Sequence, residues 1–174
     1  MASRRFAGLL LVAVLLLLSS GVTAARAQEV SAEDGLAAHI ARERSTRGIS
    51  ALTPAADLAA AARRHAQRMA DRGEPYHNPD LGSEVRGWSI VAENVGVGRD
   101  VDALHAAFME STTHRDVILM SDVSELGIGA VRSSDGELWV VEVFRRAEAA
   151  PPARSSPSAT PARSGVASLS CRTP

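Results

Sequence analysis

The stretch that decides the fold is residues 76–119, which holds three polar segments: Tyr76-His77-Asn78-Pro79, Ala92-Glu93-Asn94-Val95-Gly96 and Ser111-Thr112-Thr113-His114-Arg115-Asp116-Val117-Ile118-Leu119. Each segment carries one residue able to bind a metal or move a proton: His77, Glu93 and His114. Between them lie stretches whose residue spacing is typical of helices or strands. We therefore interpret the rest of the chain as structural scaffold, targeting signal or linker.

Length and charge limit the class of protein. The chain has 174 residues, which suits one domain with appendages, and a hydrophobic fraction of 45% that is sufficient for a core. Residues 28–150 hold thirteen Arg against all twenty acidic residues, so their net charge is thirteen minus twenty, or −7. Nucleic-acid affinity depends on neutralising phosphates with basic groups, so this acidic region argues against a nucleic-acid partner.

The N-terminus has the pattern of an export signal. Arg4 and Arg5 precede an apolar run, and Ala25-Arg26-Ala27 provides a cleavage site, which predicts a secretory signal peptide over residues 1–27. An uncleaved signal anchor is the alternative. We expect a secreted, extracellular protein, either free or associated with the cell envelope. We expect no transmembrane span after cleavage. The only cysteine is Cys171, which excludes an internal disulfide.

Two helices are predicted first. Ser31-Ala32-Glu33-Asp34 has the form of a capping box and predicts a helix over about 32–47. Thr53-Pro54 repeats a start signal for a second helix that ends at Gly73. We interpret four residues of the first helix as its solvated face: His39, Arg42, Arg44 and Arg47. His65 falls on the apolar stripe of the second helix, where a hydrogen-bonded core histidine is favoured over a ligand.

The middle of the chain has weaker signals. Frequent Pro and Gly over 74–98 indicate a loop, in which only Ser89-Ile90-Val91 has strand character. Asp100 is expected to cap a third helix, and Thr113-His114-Arg115-Asp116 a short fourth helix that reaches Leu119.

The domain ends in a predicted β-hairpin. Residues 126–132 and 137–144 are rich in β-branched and aromatic side chains and flank a short polar turn. We expect Glu142 in the second strand to be solvated or paired near the sheet end. Residues 150–174 are rich in Pro, Ser, Ala and Arg, which predicts a disordered tail.

Spacing alone leaves the chemistry open. A His-Glu-His set from His77, Glu93 and His114 could hold a divalent cation such as Zn²⁺. However, no two of these residues have the short helical spacing that would force them together. The alternative is that Glu93 pairs with an arginine and His114 lies in a first helical turn. No organic cofactor fingerprint and no serine or cysteine nucleophile stands out.

In order, the three segments and the strand Trp139-Val140-Val141-Glu142-Val143-Phe144 resemble the bacterial extracellular branch of the CAP superfamily, the cysteine-rich secretory, antigen 5 and pathogenesis-related proteins. The resemblance covers about 31–144, so residues 28–149 are interpreted as one CAP, or SCP-like, domain. It implies an α+β fold, a three-layer α-β-α sandwich with a small antiparallel sheet between helices. It also implies a cleft where the two histidines and the glutamate converge on a divalent cation.

Some residues depart from the family pattern. Many relatives add a second glutamate to the cleft, and Ser111 takes that position here, so the resemblance implies at most three metal ligands. Four further residues are expected to line the ligand cleft: Asn78, Asn94, Ser111 and Arg115.

The resemblance leaves the function open between three hypotheses. The first is a secreted, monomeric and non-enzymatic protein that binds a small, lipid-like or envelope-derived ligand. The second is a metal-dependent hydrolase in which Glu93 polarises a metal-bound water. The third is a cell-envelope interaction module whose tail makes the contact and whose cleft is vestigial.

Overall fold

A computed structural model describes residues 28–148. Within them, a four-stranded sheet of order β1-β3-β4-β2 is combined with helices, which confirms the predicted α+β class. In chain order the elements are α1 (28–46), β1 (Thr53–Pro54), α2 (Ala56–Arg72), α3 (Leu81–Glu84), β2 (Trp88–Gly98), α4 (Val101–Glu110), α5 (Thr112–Ile118), β3 (Glu125–Arg132) and β4 (Leu138–Ala147).

The sheet is the middle of three layers. On one face, side chains of α1, α4 and α5 pack against alternate residues of β3 and β4 such as Ile128 and Val140. On the other face, α2 and α3 pack against the intervening residues, among them Trp139 and Val141. This alternation follows from the period of two along a strand, and it confirms the expected α-β-α sandwich.

Pairing within the sheet is mixed. β4 pairs antiparallel with both β3 and β2, and the β3–β4 hairpin is confirmed. β1 pairs parallel with β3, however, through only Thr53 and Pro54. The expectation of a purely antiparallel sheet is therefore wrong at this edge, because a strand that precedes a crossover through α2 can join β3 in the parallel sense.

α2 lies directly on β3 because two glycines leave room for its backbone. A Cβ atom on Gly127 would lie 2.2 Å from the Ala59 nitrogen, and one on Gly129 would lie 2.1 Å from the Arg63 nitrogen. Any side chain at these positions would push the helix away from the sheet. The buried stripe of α2, which includes Leu58, confirms the predicted amphipathic pattern.

The starts of the first two helices differ from the predictions. The chain is already helical at residue 28, and the Ser31 hydroxyl donates to the Gln28 carbonyl within the helix instead of capping it. Thr53 and Pro54 form β1, and α2 follows without a side-chain cap. Tertiary pairing with β3 has overridden a local start signal here. Gly73 does end α2, with a φ of 70°.

The polar side of α1 is solvated only in part. Arg42 and Arg47 are exposed, as predicted, and His39 is half-buried. The prediction for Arg44 is wrong, since its side chain is fully buried. Its guanidinium donates to the backbone carbonyls of Ser50, Ile118 and Met120. Arg44 therefore joins α1 to the chain that follows α5.

The predicted loop over 74–98 is wrong at α3 and in its second half, which forms the eleven-residue strand β2. The strand character expected for residues 89–91 is confirmed, but the strand is much longer. Gly96, which suggested a turn, lies within this strand. A Cβ atom on Gly96 would lie 2.7 Å from the Phe108 ring, so this glycine allows α4 to approach the strand. The pairing partner of β2 lies in β4, far along the chain, so local composition did not reveal it.

α4 begins as predicted, because the Asp100 carboxylate accepts a hydrogen bond from the Ala103 amide at 2.9 Å. The predicted capping box at 113–116 is wrong: α5 starts at Thr112, and Ser111 precedes it without a side-chain cap.

The signal peptide, the tail and Cys171 fall outside the described residues. Within residues 28–148, none of the helices has the length and apolar character needed to cross a membrane.

Candidate functional site

Glu93 is the centre of the candidate site. It lies in β2, and its side chain is only 5% exposed. The Oε2 atom accepts the backbone N–H of Asn78 at 2.9 Å and lies 2.9 Å from Nδ1 of His77. The Oε1 atom is buried and has no hydrogen-bond partner among the described residues. Glu93 thus fixes the loop after α2 to the sheet and keeps one acceptor free.

His77 is the accessible member of this pair, with a side chain that is 64% exposed. Its loop is held from below by His65, whose Nε2 lies 2.7 Å from the Tyr76 carbonyl oxygen. His65 is fully buried, which confirms its interpretation as a hydrogen-bonded core histidine. The sequence did not predict that His65 positions this loop. A histidine on the apolar stripe of a helix does, however, indicate a buried hydrogen bond to nearby backbone.

His114 belongs to the first turn of α5. Its Nδ1 lies 2.9 Å from the Ser111 hydroxyl, and its ring packs against Phe108 with centroids 4.9 Å apart. Burial, and to a lesser extent the charge of His77, lowers the pKa of His114. The neutral imidazole is therefore favoured.

Asn94 and Glu142 support the site from beneath. Asn94 is buried, and its amide donates at 3.1 Å both to the His114 carbonyl and to Glu142. The prediction for Glu142 is wrong: it is fully buried in the middle of β4, because it faces the same layer as Phe144. Burial raises the pKa of Glu142 to about 7, and the bond from Asn94 offsets only part of that effect.

The other expected cleft residues have local partners. The Asn78 side-chain oxygen accepts the Asp80 amide at 3.1 Å, as in an Asx turn. The Arg115 guanidinium donates to the Met109 carbonyl at 2.9 Å, at the end of α4. These contacts shape the backbone beside His77 and His114.

The structure brings His77 and Glu93 into direct contact, but it does not form a three-residue metal centre. Among residues 28–148, no group of three or more His, Cys, Asp or Glu side chains is placed to hold a metal ion. Glu93 faces the layer of α2, whereas the next residue, Asn94, faces α5 and donates to the His114 backbone carbonyl. Zn²⁺ or another divalent cation in this cleft stays a prediction.

The family model described as the cysteine-rich secretory protein family, CAP, matches residues 37–144. That match covers more than half of the chain, and the protein therefore belongs to the CAP family. It confirms the resemblance on which the fold was predicted.

Solved bacterial structures share the fold. An outer surface protein from Borrelia burgdorferi has a TM-score of 0.63 at 15% identity, over 68% of this chain and 94% of that chain. An extracellular protein containing a SCP domain from Bacillus anthracis has a TM-score of 0.57 at 22% identity, over 68% of this chain and 41% of that chain. A cysteine-rich secretory protein from Staphylococcus aureus has a TM-score of 0.57 at 23% identity, over 68% of this chain and 39% of that chain.

At these identities the similarity shows the fold alone. The chain spans about two fifths of the length of the Bacillus and Staphylococcus proteins. No curated protein sequence matches the chain.

Proposed function

We propose that this CAP-domain protein is an exported, non-enzymatic binding protein whose cleft beside His77, Glu93 and His114 takes up an envelope-derived ligand. The observation that carries the proposal is the Glu93 carboxylate, which is buried and has one oxygen without a donor. A buried acceptor without a partner costs free energy. A hydroxyl or amide group of a ligand would supply the missing hydrogen bond.

The chemistry of the cleft favours a polar ligand over a purely apolar one. The exposed imidazole of His77 and the neutral imidazole of His114 can each donate or accept a hydrogen bond. Export follows from the signal-peptide pattern at the N-terminus. It also agrees with the structural neighbours, which are an outer surface protein, an extracellular protein and a cysteine-rich secretory protein.

A divalent cation does not fit the cleft as a ready-made three-ligand site. The hydrogen bonds to Glu93 Oε2 and to Nδ1 of both histidines leave Glu93 Oε1 and the two Nε2 atoms without partners among the described residues. We expect Zn²⁺ to bind weakly, because no three of the described side chains are grouped to hold it and its ligands would have to move together.

Zinc titration by calorimetry tests this expectation. The wild type should give weak binding that is lost in His77→Ala and in His114→Ala. The matched control is His39→Ala, which removes a half-buried histidine on α1 and should keep the wild-type heat. Equal heats in all four proteins would show that the cleft does not bind zinc.

Sedimentation with purified cell-envelope polymer tests ligand binding. The wild type should co-sediment, and Glu93→Gln should do so at least tenfold less, because one carboxylate oxygen becomes a donor. Glu74→Gln, an exposed neighbour of the same loop, should behave as the wild type. Binding to lipid vesicles in place of the polymer would contradict an envelope polymer as the ligand. Chelator-sensitive release of soluble products would contradict the non-enzymatic assignment and support the hydrolase.

A further inference from the structure

A cavity lies between α1 and α2, at the β3 edge of the sheet. Its volume is about 480 Å³, within the range of small-molecule sites. One wall is the face of α1 that includes Ala37 and Ala41, and the other is the start of α2 with Ala55 and Ala59. Alanines are too short to fill the space between the helices. None of His77, Glu93 and His114 lines this cavity.

The floor of the cavity is a strand edge that β1 does not cover. β1 ends at Pro54, which is paired with Leu126, whereas β3 continues to Arg132. The last contact on this side is the Ala55 amide, which donates to the Leu126 carbonyl at 2.9 Å. The edge of β3 beyond Leu126 therefore has no neighbouring strand.

Ile128 is the open position of that edge. The backbone groups of Leu126 point away from β4, and strand alternation gives Ile128 and Ala130 the same direction. The Ala130 amide confirms this, because it donates to the Glu33 carboxylate at 3.2 Å. Ile128 lies between these two satisfied positions and lines the cavity. Its amide and carbonyl have no backbone partner on the outer side among the described residues.

An ion pair lines the far end of the cavity, where Arg63 of α2 donates to both carboxylate oxygens of Glu33 on α1. Leu52 and Pro54 line the near end. The cavity is therefore a short slot along β3, with apolar sides and a polar edge as its floor.

The donors and acceptors of this slot select one ligand class. A donor and an acceptor on the same side of one residue are matched by a residue of an extended peptide. A free anion is disfavoured, because the Glu33 and Asp34 carboxylates line the slot. Nε and Nη1 of Arg44 are bound to backbone carbonyls, whereas its Nη2 has no partner among the described residues and can donate to a peptide carbonyl. We propose that this slot binds a short extended peptide with small apolar side chains, which adds to β3 beside Ile128.

A capped dipeptide tests the proposal. The probe is N-acetyl-valyl-alanine N-methylamide, and its binding is followed through the NMR shift of the Ile128 amide. We expect saturable binding and slower hydrogen exchange of that amide. An analogue with an ester in place of the central amide has the same shape but lacks one N–H donor, and should bind about tenfold more weakly.

Two neighbouring alanines provide a matched pair of variants. Ala37→Leu should abolish binding because it fills the slot, whereas Ala38→Leu, at an exposed position of the same helix, should leave it unchanged. His77→Ala should also leave it unchanged, which separates this slot from the cleft. Absence of binding, equal binding of the ester, or an equal loss in both alanine variants would overturn the proposal. A gain in affinity on deleting residues 150–174 would overturn it too, since the chain's own tail would then occupy the slot.

Discussion

Two carboxylates on neighbouring strands, Glu93 and Glu142, differ in their hydrogen-bond partners. Oε2 of Glu93 is within 2.9 Å of both His77 Nδ1 and the Asn78 amide. Glu142 has a single amide donor, from Asn94, and its Oε1 atom has no partner among the described residues. Desolvation therefore dominates at Glu142 and raises its pKa to about 7.

Replacing Glu142 by Gln should stabilise the protein at alkaline pH. An acid whose folded pKa is raised from 4.5 to about 7 binds more protons when folded, so stability falls as pH rises through this window. The variant removes this loss and should be more stable than the wild type by about 3 kcal/mol at pH 8, as an order of magnitude. Urea unfolding at pH 5 and pH 8 measures it.

At pH 5 the same two proteins should differ much less, because the wild-type carboxyl is then protonated in the folded state. Glu110→Gln, at an exposed position of α4, serves as the control and should have little effect at either pH. If Glu142→Gln raised the free energy of unfolding equally at pH 5 and pH 8, Glu142 could not be a buried acid with a raised pKa.

His105 should have the opposite pH dependence. It is buried on α4, stacks on His39 at 4.7 Å, and neither of its ring nitrogens has a partner among the described residues. Burial, followed by the charge of His39, lowers the pKa of His105; Glu43 and Asp102 oppose this shift, and Arg42 adds to it. The folded state then binds fewer protons than the unfolded state, so stability is lost as pH falls below about 6.5.

The test is urea unfolding of the wild type and His105→Phe between pH 7 and pH 5. The variant should lose less stability over this range, because it has no imidazole to protonate. If both proteins lost the same stability between pH 7 and pH 5, the protonation of His105 would not be linked to unfolding.

At the scale of elements, the contact between α2 and β3 should be the least tolerant of added volume. Gly129→Ala places a Cβ against the backbone of Arg63, which cannot rotate away, and should cost about 3 kcal/mol or more. Gly98→Ala is the control in β2, where the nearest atom would be at 3.6 Å, and should cost about 0.5 kcal/mol or less. Thermal unfolding followed by circular dichroism compares the two. Similar costs would mean that α2 shifts freely on the sheet.

Elements with a strong local period could be predicted from the sequence, and elements formed by distant pairing could not. α2, α4 and the β3–β4 hairpin have buried residues at regular spacing, so their types were evident. β1 has two residues and β2 has glycines, and both exist because of their partners. The burial of Arg44 depends in the same way on carbonyls beyond α5.

For the candidate site, the sequence named residues but could not give the faces on which they lie. His77 and Glu93 do meet, although sixteen positions separate them. Which residues of β2 face α2 and which face α5 depends on the register of β2 with β4, which local patterns do not contain. Glu142 was misjudged for the same reason, since its neighbour Asn94 belongs to another strand.

At the scale of the whole molecule, β4 should be the most stable part of the structure. It lies between β3 and β2, and its first eight residues are all buried. Its amides should exchange with solvent only through global unfolding, whereas those of the short edge strand β1 should exchange faster through local opening. Hydrogen exchange followed by mass spectrometry measures this order. Faster exchange in β4 than in β2 would contradict it.

The strand order has a consequence for how the protein can be made. Every strand pair includes β3 or β4, which are the last elements of the described chain. A growing polypeptide that ends before Glu125 therefore has no sheet on which its helices can pack. Such late, long-range pairing predicts slow folding that starts only when the domain is nearly complete. Until then the chain stays in an open form, the form in which a polypeptide can be threaded through a narrow channel.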